Sequence, residues 1–519
     1  METNSNVKIR QPRRTGRRIG DALLILLLSL AFLCFFSACW YVSVYGRIGF
    51  DSVIYTLTSN LGGVQLGLVL KYFAGAVLPA ALCTTAMYFL LLRPWKKSHF
   101  LALGKHRLQL PQAKRWVACL LCVVLSLALM AHAAFNVELI DYISACLRIS
   151  NLYESEYRDP DSVNITFPEQ KRNLIYIMLE SMETSYLSTD EGGVLEYNLI
   201  PELYELAQDN VNFSHNTSVG GFREVPGASW TIGAMVSQTS GVPLKVPDGI
   251  LDWQNGYGED GVFLPGLTSL STILAENGYN QALMVGSDSD FGGRKTYFST
   301  HGVENIYDLY TARADGIVPS NYFVWWGMED KYLFEYAKQE ITEMAAQDEP
   351  FAFTMLTVDT HHIGGYTCEY CGSDHEESYE NVISCSSKQV YAFVEWLQQQ
   401  DFYENTTIIV TGDHCSMDNG YFTRNVDDGY IRHVYNCFIN SAVEPVRTSN
   451  RNFSALDMFP STLAAMGCTI EGNRLGLGTN LFSNTPTLIE RFGYGVFCTE
   501  LSQRSDYYAD HFYTAEEES

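Results

Sequence analysis

NLIYIMLES, residues 173–181, sets six apolar side chains, Leu174 to Leu179, directly before a carboxylate, Glu180. Such a run reads as a strand buried on both faces. QALMV (281–285), FAFTMLTV (351–358), TTIIVTG (406–412) and VYNCFIN (434–440) read the same way. Between them lie amphipathic stretches with helical spacing: IPELYELAQ (200–208), TSLSTILAENG (268–278), KYLFEYAKQEITEMA (331–345), KQVYAFVEWLQQQ (388–400) and SALDMFPSTLAAMG (454–467). Alternation of this kind predicts an α/β fold, a mainly parallel sheet with helices on both faces. Ligands of such sheets bind beyond the carboxyl ends of the strands.

Upstream of this region the composition changes. Residues 21–45, 72–92 and 116–136 are long apolar runs without Asp or Glu beyond Asp21, each long enough to cross a hydrocarbon core of about 30 Å. The first is too long for a cleaved signal peptide and lacks a small-residue cleavage site, so it reads as a retained helix. Lys8, Arg10, Arg13, Arg14, Arg17 and Arg18 precede the first run, and Arg93, Lys96, Lys97, Lys105, Arg107, Lys114 and Arg115 separate the second from the third. Basic segments stay on the cytoplasmic side, which puts everything after residue 136 outside the cell. The expected organisation is a membrane anchor (1–137), a juxtamembrane connector (138–171), an exterior domain (172–505) and a disordered acidic tail (506–519).

Charge divides along the same line. Residues 1–136 carry 15 Lys and Arg against three acids, whereas the rest of the chain carries 19 against 56. So acidic a body repels nucleic acid, and a site that handles phosphates on it needs local cations or a metal. Of the 13 cysteines, Cys34, Cys39, Cys83, Cys119 and Cys122 lie in the apolar runs and read as small hydrophobes. Cys368, Cys371 and Cys385 cluster in the exterior domain. With His375 nearby they suggest zinc, but no second Cys pair at zinc-finger spacing follows. A local disulfide from Cys385 to Cys368 or Cys371 is the favoured expectation outside a cell.

Three strand ends are chemically loaded. The first strand runs into Glu180, the strand at 351–358 into TVDTHH (357–362), and the strand at 406–412 into Asp413 and His414. A carboxylate from one strand end and an Asp-His pair from another can converge on a divalent metal, and oxygen ligands with one imidazole suit Zn2+ or Mn2+. GFREVPGASWTIGAMVSQTSGVPL (221–244) turns from a Gly- and Pro-rich loop into a helix near Thr231. A hydroxyl there reads either as a helix cap or as a nucleophile beside an anion-binding helix terminus, activated by metal coordination.

NLIYIMLES, SWTIGAMVSQTSGVPL, SLSTILAENGY, FGGR, LTVDTHH, TGDHCSM, LDMFPSTLAAMG and LGLGTNLF stand in this order over roughly residues 172–483. The series resembles the membrane-anchored phosphoglycerol transferase branch of the sulfatase/alkaline-phosphatase superfamily, which includes lipoteichoic acid synthase and the glucan-modifying transferase. TVDTHH and TIGAMVSQ are more similar to the glucan-modifying enzymes. The resemblance implies one divalent metal, Mn2+ or Zn2+, bound by Glu180, Thr231, Asp413 and His414, with Thr231 as the nucleophile. Arg294 of FGGR falls where the family has a phosphate-binding arginine, and His361, with His362 beside it, where the family has a substrate-site histidine. Two departures stand out. Cys415 follows the Asp-His pair where many sulfatases have glycine, and Gly292 or Gly293 replaces the aromatic of the teichoic acid synthases. Sulfatases proper need Cys or Ser in a Cys/Ser-x-Pro-x-Arg context, which Thr231-Ile-Gly-Ala does not provide.

The resemblance therefore implies transfer of glycerophosphate from phosphatidylglycerol to a glycan or polyglycerophosphate acceptor by a multi-pass protein of a bacterial cell membrane, with the catalytic domain on the extracellular or periplasmic side. The rivals are a phosphoethanolamine transferase, another sulfatase-like phosphodiester hydrolase, and a catalytically silent surface-binding protein. Retention of Glu180, Thr231, Asp413 and His414 together argues against the last.

Overall fold

The computed structural model describes residues 13–47, 49–50, 53–54, 66–92, 100–103, 106–109, 115–245, 261–427 and 429–514. They divide into a smaller unit, Met1–Arg47 with Val64–Ile140, and a larger one, Ile48–Gly63 with Asp141–Ser519.

In the larger unit the main sheet is built, among the described residues, from β1 (Asn173–Leu179), β2 (Gly221–Phe222), β3 (Asn280–Val285), β4 (Asn305–Tyr307), β5 (Phe351–Leu356), β6 (Thr406–Gly412) and β7 (Val434–Ile439). Their spatial order is β2-β7-β6-β1-β5-β3-β4. The strands from β6 through β4 run parallel, and β7 and β2 extend the sheet antiparallel at one edge. All the strands expected from sequence are present; the two short ones, β2 and β4, carry too few residues to show a periodicity. Every residue of β1 and β6 is buried. Because strand side chains alternate in direction, β1 feeds two cores. Leu174, Tyr176 and Met178 pack with Ile232, Met235 and Leu463, while Ile175, Ile177 and Leu179 pack with Leu333, Ile341 and Phe393. Helices therefore cover both faces, as the alternating pattern predicts.

Register fixes the site. Leu179 of β1 lies opposite Gly412 of β6, so the next residues, Glu180 and Asp413, leave the sheet side by side. A Cβ on Gly412 would stand 2.0 Å from the Met182 carbonyl oxygen, so only glycine lets the chain after Glu180 press against β6.

Three boundaries differ from the sequence reading. Residues 138–171 are not merely a connector: Ile165–Thr166 pairs antiparallel with Thr469–Ile470, Tyr153 is buried in the core, and Glu156 accepts hydrogen bonds from Arg474 and Arg491 at 2.8 and 2.5 Å. These contacts reach far along the chain and leave no local pattern. The expected disordered tail begins instead with a helix, Asp506–Phe512, which buries Tyr508 and Phe512; residues 515–519 lie outside the described residues. The helix expected at 388–400 already begins at Ser378.

The smaller unit has three helices long and apolar enough to cross a membrane, Ile19–Tyr45, Gly67–Leu90 and Arg115–Asn136, and the chain is a membrane protein. Leu28 and Phe32 of the first meet Ala80 of the second and Cys122 of the third. Leu26, Leu82 and Leu127 remain exposed, an apolar surface suited to hydrocarbon rather than water. Lys8, Arg10, Arg93, Lys96, Lys97, Lys105 and Lys114, on which the expected orientation rests, lie outside the described residues.

Two predictions follow from this packing. Ile177→Ala, at a fully buried position of the central strand, is expected to cost about 2–5 kcal/mol, read from urea unfolding of the detergent-solubilised protein. The second concerns His301 and His433, whose pKa values burial lowers to about 4 and about 3. Both stay neutral in the fold and take up protons on unfolding below about pH 6.5. Stability should accordingly fall as pH drops from 7 toward 5, and His433→Gln should make the fall shallower by up to about 1.4 kcal/mol per pH unit.

Candidate metal centre at the carboxyl edge of the sheet

Glu180, Asp413 and His414 each offer one ligand atom within 4.8 Å of the others, and all three side chains are buried. Asp413 Oδ1 accepts the N–H groups of Ser181 and His414 at 2.8 and 2.7 Å. Its other oxygen, Oδ2, is buried without a hydrogen-bond partner and stands 3.3 Å from His414 Nε2. Ser181 Oγ donates to Glu180 Oε1 at 2.7 Å. His414 Nδ1 lies 2.8 Å from the Cys415 carbonyl oxygen. That acceptor assigns a ring proton to Nδ1 and turns Nε2 toward the carboxylates, the orientation usual for a metal-ligating histidine.

Thr231 is the first residue of the helix Thr231–Ser240, whose N-cap, Trp230, supplies no side-chain cap. Its Oγ1 is 3.4 Å from Glu180 Oε2 and 3.4 Å from His414 Nε2. The four sequence-chosen residues thus converge, with three oxygen donors and one nitrogen. The donor set and the unsatisfied Asp413 oxygen fit a divalent cation. Electrostatics agree. Burial and the Glu180 charge push the Asp413 carboxyl up to about 8. Burial disfavours a charged His414, but the Asp413 and Glu180 carboxylates outweigh it and raise the ring to about 9. Excess negative charge at this point holds protons where a cation would relieve it.

His361 stands beside this cluster, its ring between Trp326 at 4.5 Å and His362 at 4.4 Å, and its Nδ1 is 2.7 Å from the His362 carbonyl oxygen. Burial lowers its pKa, and the Glu180 carboxylate opposes that shift. His362 is held well below the ordinary range by burial and by the neighbouring His361 and His414. Arg294 is buried at the start of the helix Arg294–Thr300. Its Nε donates to the Phe291 carbonyl at 2.9 Å and its Nη2 to the Asp288 carbonyl at 2.6 Å, bonds that fix the guanidinium plane.

Residues not singled out from sequence hold these groups in place. Asp330 Oδ1 accepts the Val358 N–H at 2.7 Å, and Asp359 Oδ2 accepts the Asp330 N–H at 3.2 Å. Thr360 Oγ1 donates to the Glu180 carbonyl at 2.5 Å. Glu183 Oε2 accepts the Ser416 N–H at 3.0 Å, and Arg432 pairs with Glu183 and donates to the Ser416 carbonyl at 2.7 Å. Asp359 sat inside TVDTHH and could have been flagged there; Asp330 and Arg432 carry no local signal. The expected local disulfide is not formed. Cys368, Cys371 and Cys385 are free thiols, with Cys368 Sγ 3.7 and 3.6 Å from the other two sulfurs.

The profile of the Sulfatase family matches residues 172–468, more than half of the chain. The chain belongs to the sulfatase family. Among curated relatives, phosphoglycerol transferase I of Citrobacter koseri is 28% identical over 388 residues, covering 71% of this chain and 45% of the relative. Phosphoglycerol transferase I of Xanthomonas campestris pv. campestris is 29% identical over 337 residues, covering 63% and 45%. The chain thus spans somewhat under half the length of these relatives. Among solved structures, lipoteichoic acid synthase LtaP from Listeria monocytogenes aligns with a TM-score of 0.49 at 15% identity, over 64% of this chain and 81% of that one.

The sulfatase domain is expected to bind Mn2+, measured by the loss of free-ion electron paramagnetic resonance signal. Ser181→Ala, which removes a hydrogen bond to Glu180, should weaken binding about 10–100-fold, and Asp413→Asn should weaken it more.

Proposed function

We propose that the chain is a metal-dependent phosphoglycerol transferase that moves glycerophosphate from phosphatidylglycerol to a glycan or polyglycerophosphate of the cell envelope. The observation that carries this reading is Thr231 Oγ1, poised at a helix N-terminus 3.4 Å from both Glu180 Oε2 and His414 Nε2, in a chain similar to phosphoglycerol transferases I. Mn2+ or Zn2+ held by Glu180, Asp413, His414 and Thr231 would make the threonine hydroxyl more acidic and offset charge on the phosphoryl oxygens. The Thr231 hydroxyl gives up its proton as its oxygen forms a bond to phosphorus and the bond to the diacylglycerol oxygen breaks, and the diacylglycerol oxygen takes up a proton and leaves as the alcohol. An acceptor hydroxyl then displaces threonine, and its proton leaves to a neighbouring base. Helix N–H groups at Thr231 attract the anionic group. Arg294, its plane fixed by two carbonyls, suits the non-bridging oxygens.

His361, kept neutral by burial, hydrogen-bonds the attacking or leaving oxygen, and His362 supports its ring by stacking. Three helices able to cross a membrane suit a lipid donor, and the basic clusters of the sequence favour an extracellular or periplasmic side for the domain. Thr231 followed by Ile-Gly-Ala favours phosphotransfer over sulfate-ester hydrolysis.

Full-length protein incubated with phosphatidylglycerol or phosphatidylethanolamine and Mn2+ or Zn2+ tests this through diacylglycerol measured by mass spectrometry. Release from phosphatidylglycerol is expected, falling to background in Thr231→Ala. Release from phosphatidylethanolamine alone would reassign the donor to the phosphoethanolamine class, and release from neither would overturn the reading.

A further inference from the structure

Three sulfurs stand together away from the carboxylate–histidine centre. The Sγ atoms of Cys368, Cys371 and Cys385 all lie within 4.8 Å of one another, and the two edges that meet at Cys368 measure 3.7 and 3.6 Å. Sulfurs joined in a disulfide are about 2.05 Å apart. Thiolates at about 2.3 Å from a tetrahedral zinc ion are spaced about 3.8 Å from one another, and both of these edges fall close to that spacing.

The surroundings are those of a thiolate site. Cys368 and Cys371 lie on one tight turn, in which the Cys371 N–H donates to the Cys368 carbonyl at 3.2 Å, so both sulfurs face the same side. The Tyr370 N–H donates to Cys368 Sγ at 3.4 Å, and Gln389 Nε2 donates to Cys385 Sγ at 3.3 Å. Donors aimed at sulfur stabilise its anionic form and orient it as a ligand. Cys368 and Cys385 are buried while Cys371 is partly exposed, which gives an ion a route in. His375, the other candidate ligand from sequence, is committed elsewhere: its Nε2 is 3.3 Å from Ser384 Oγ, and its ring stacks on Tyr197 at 5.0 Å.

We propose that Cys368, Cys371 and Cys385 form a second metal site, a tris-thiolate zinc site whose fourth ligand is solvent. The ion ties together two pieces of chain that flank the first centre. Cys368 and Cys371 close the segment that leaves β5 carrying Asp359, Thr360 and His361. Cys385 lies on the helix Ser378–Gln398, whose Tyr379 hydroxyl donates to the Thr360 carbonyl at 3.1 Å. Zinc here is structural: it holds the His361 segment against that helix and takes no part in phosphoryl transfer. The site does not depend on the transferase reading.

The test uses full-length protein in detergent, purified without reductant. Zinc content by elemental mass spectrometry is expected to drop by one ion per chain in Cys385→Ser and in Cys371→Ser, while Asp413→Asn leaves that ion in place. Co2+ should give a near-ultraviolet thiolate-to-cobalt charge-transfer band in the native protein. Zn2+ should bleach that band, and Cys371→Ser should abolish it. Cys371 is the least buried of the three, and retained Mn2+ binding in its serine variant reports an intact fold. Two results would overturn the proposal: a cobalt band unchanged by the cysteine variants, or an intact mass and alkylation pattern showing two of the three cysteines joined in a disulfide.

Discussion

Glu180 and Asp413 emerge from adjacent parallel strands one residue beyond the paired Leu179 and Gly412, and both carboxylates are almost wholly removed from solvent. Two like charges in that position repel one another and have lost their hydration. Backbone N–H groups satisfy one oxygen of Asp413, and His414 turns Nε2 toward both acids. The remaining imbalance is what a divalent cation would neutralise. The rest of the sulfatase domain keeps this costly arrangement from relaxing: two hydrophobic layers clamp the strands, and glycine at 412 lets the chain after Glu180 lie against β6.

The helix bearing Thr231 brings a different asset to the same point. Its first turn carries N–H groups that an α-helix leaves without intrahelical partners and a positive dipole end, so the place that gathers negative charge from the acids also offers positive potential to an anion. Gly227, at φ +83°, has the Leu244 carbonyl oxygen 2.6 Å from where a Cβ would stand. Only glycine allows the loop before the helix to fold that closely and set Thr231 over Glu180. In an otherwise acidic domain, the proposed site relies on Arg294 and this helix terminus for the local attraction that the net charge withholds.

What was legible in the sequence follows from locality. The buried strands and the acids and histidines at their ends announce themselves because a parallel sheet writes continuous apolar runs and gathers its chemistry at one edge. The membrane helices are legible for the same reason of composition. Within the expected connector, 138–171, the packed role of Glu156 and Thr166 is set by partners such as Arg474, Arg491 and Thr469, more than 300 positions away along the chain, and leaves no local pattern. Tyr508 and Phe512 were misread as part of a tail because an acidic, polar context hid two aromatic anchors. Asp330 and Arg432 hold the site through hydrogen bonds and ion pairs across the fold, which no spacing rule reveals. The cysteine cluster was seen, but its bonding was decided by distances that sequence does not contain.

The central claim is that Thr231 carries the transferring group. It is tested most directly by mixing full-length protein with phosphatidylglycerol, quenching in acid, and reading the mass of the peptide that contains Thr231. The account predicts an added glycerophosphoryl group on Thr231 that appears only with a divalent metal and disappears when an acceptor is supplied. An unmodified Thr231 peptide in a preparation that is releasing diacylglycerol, or the group found on another residue, would contradict it.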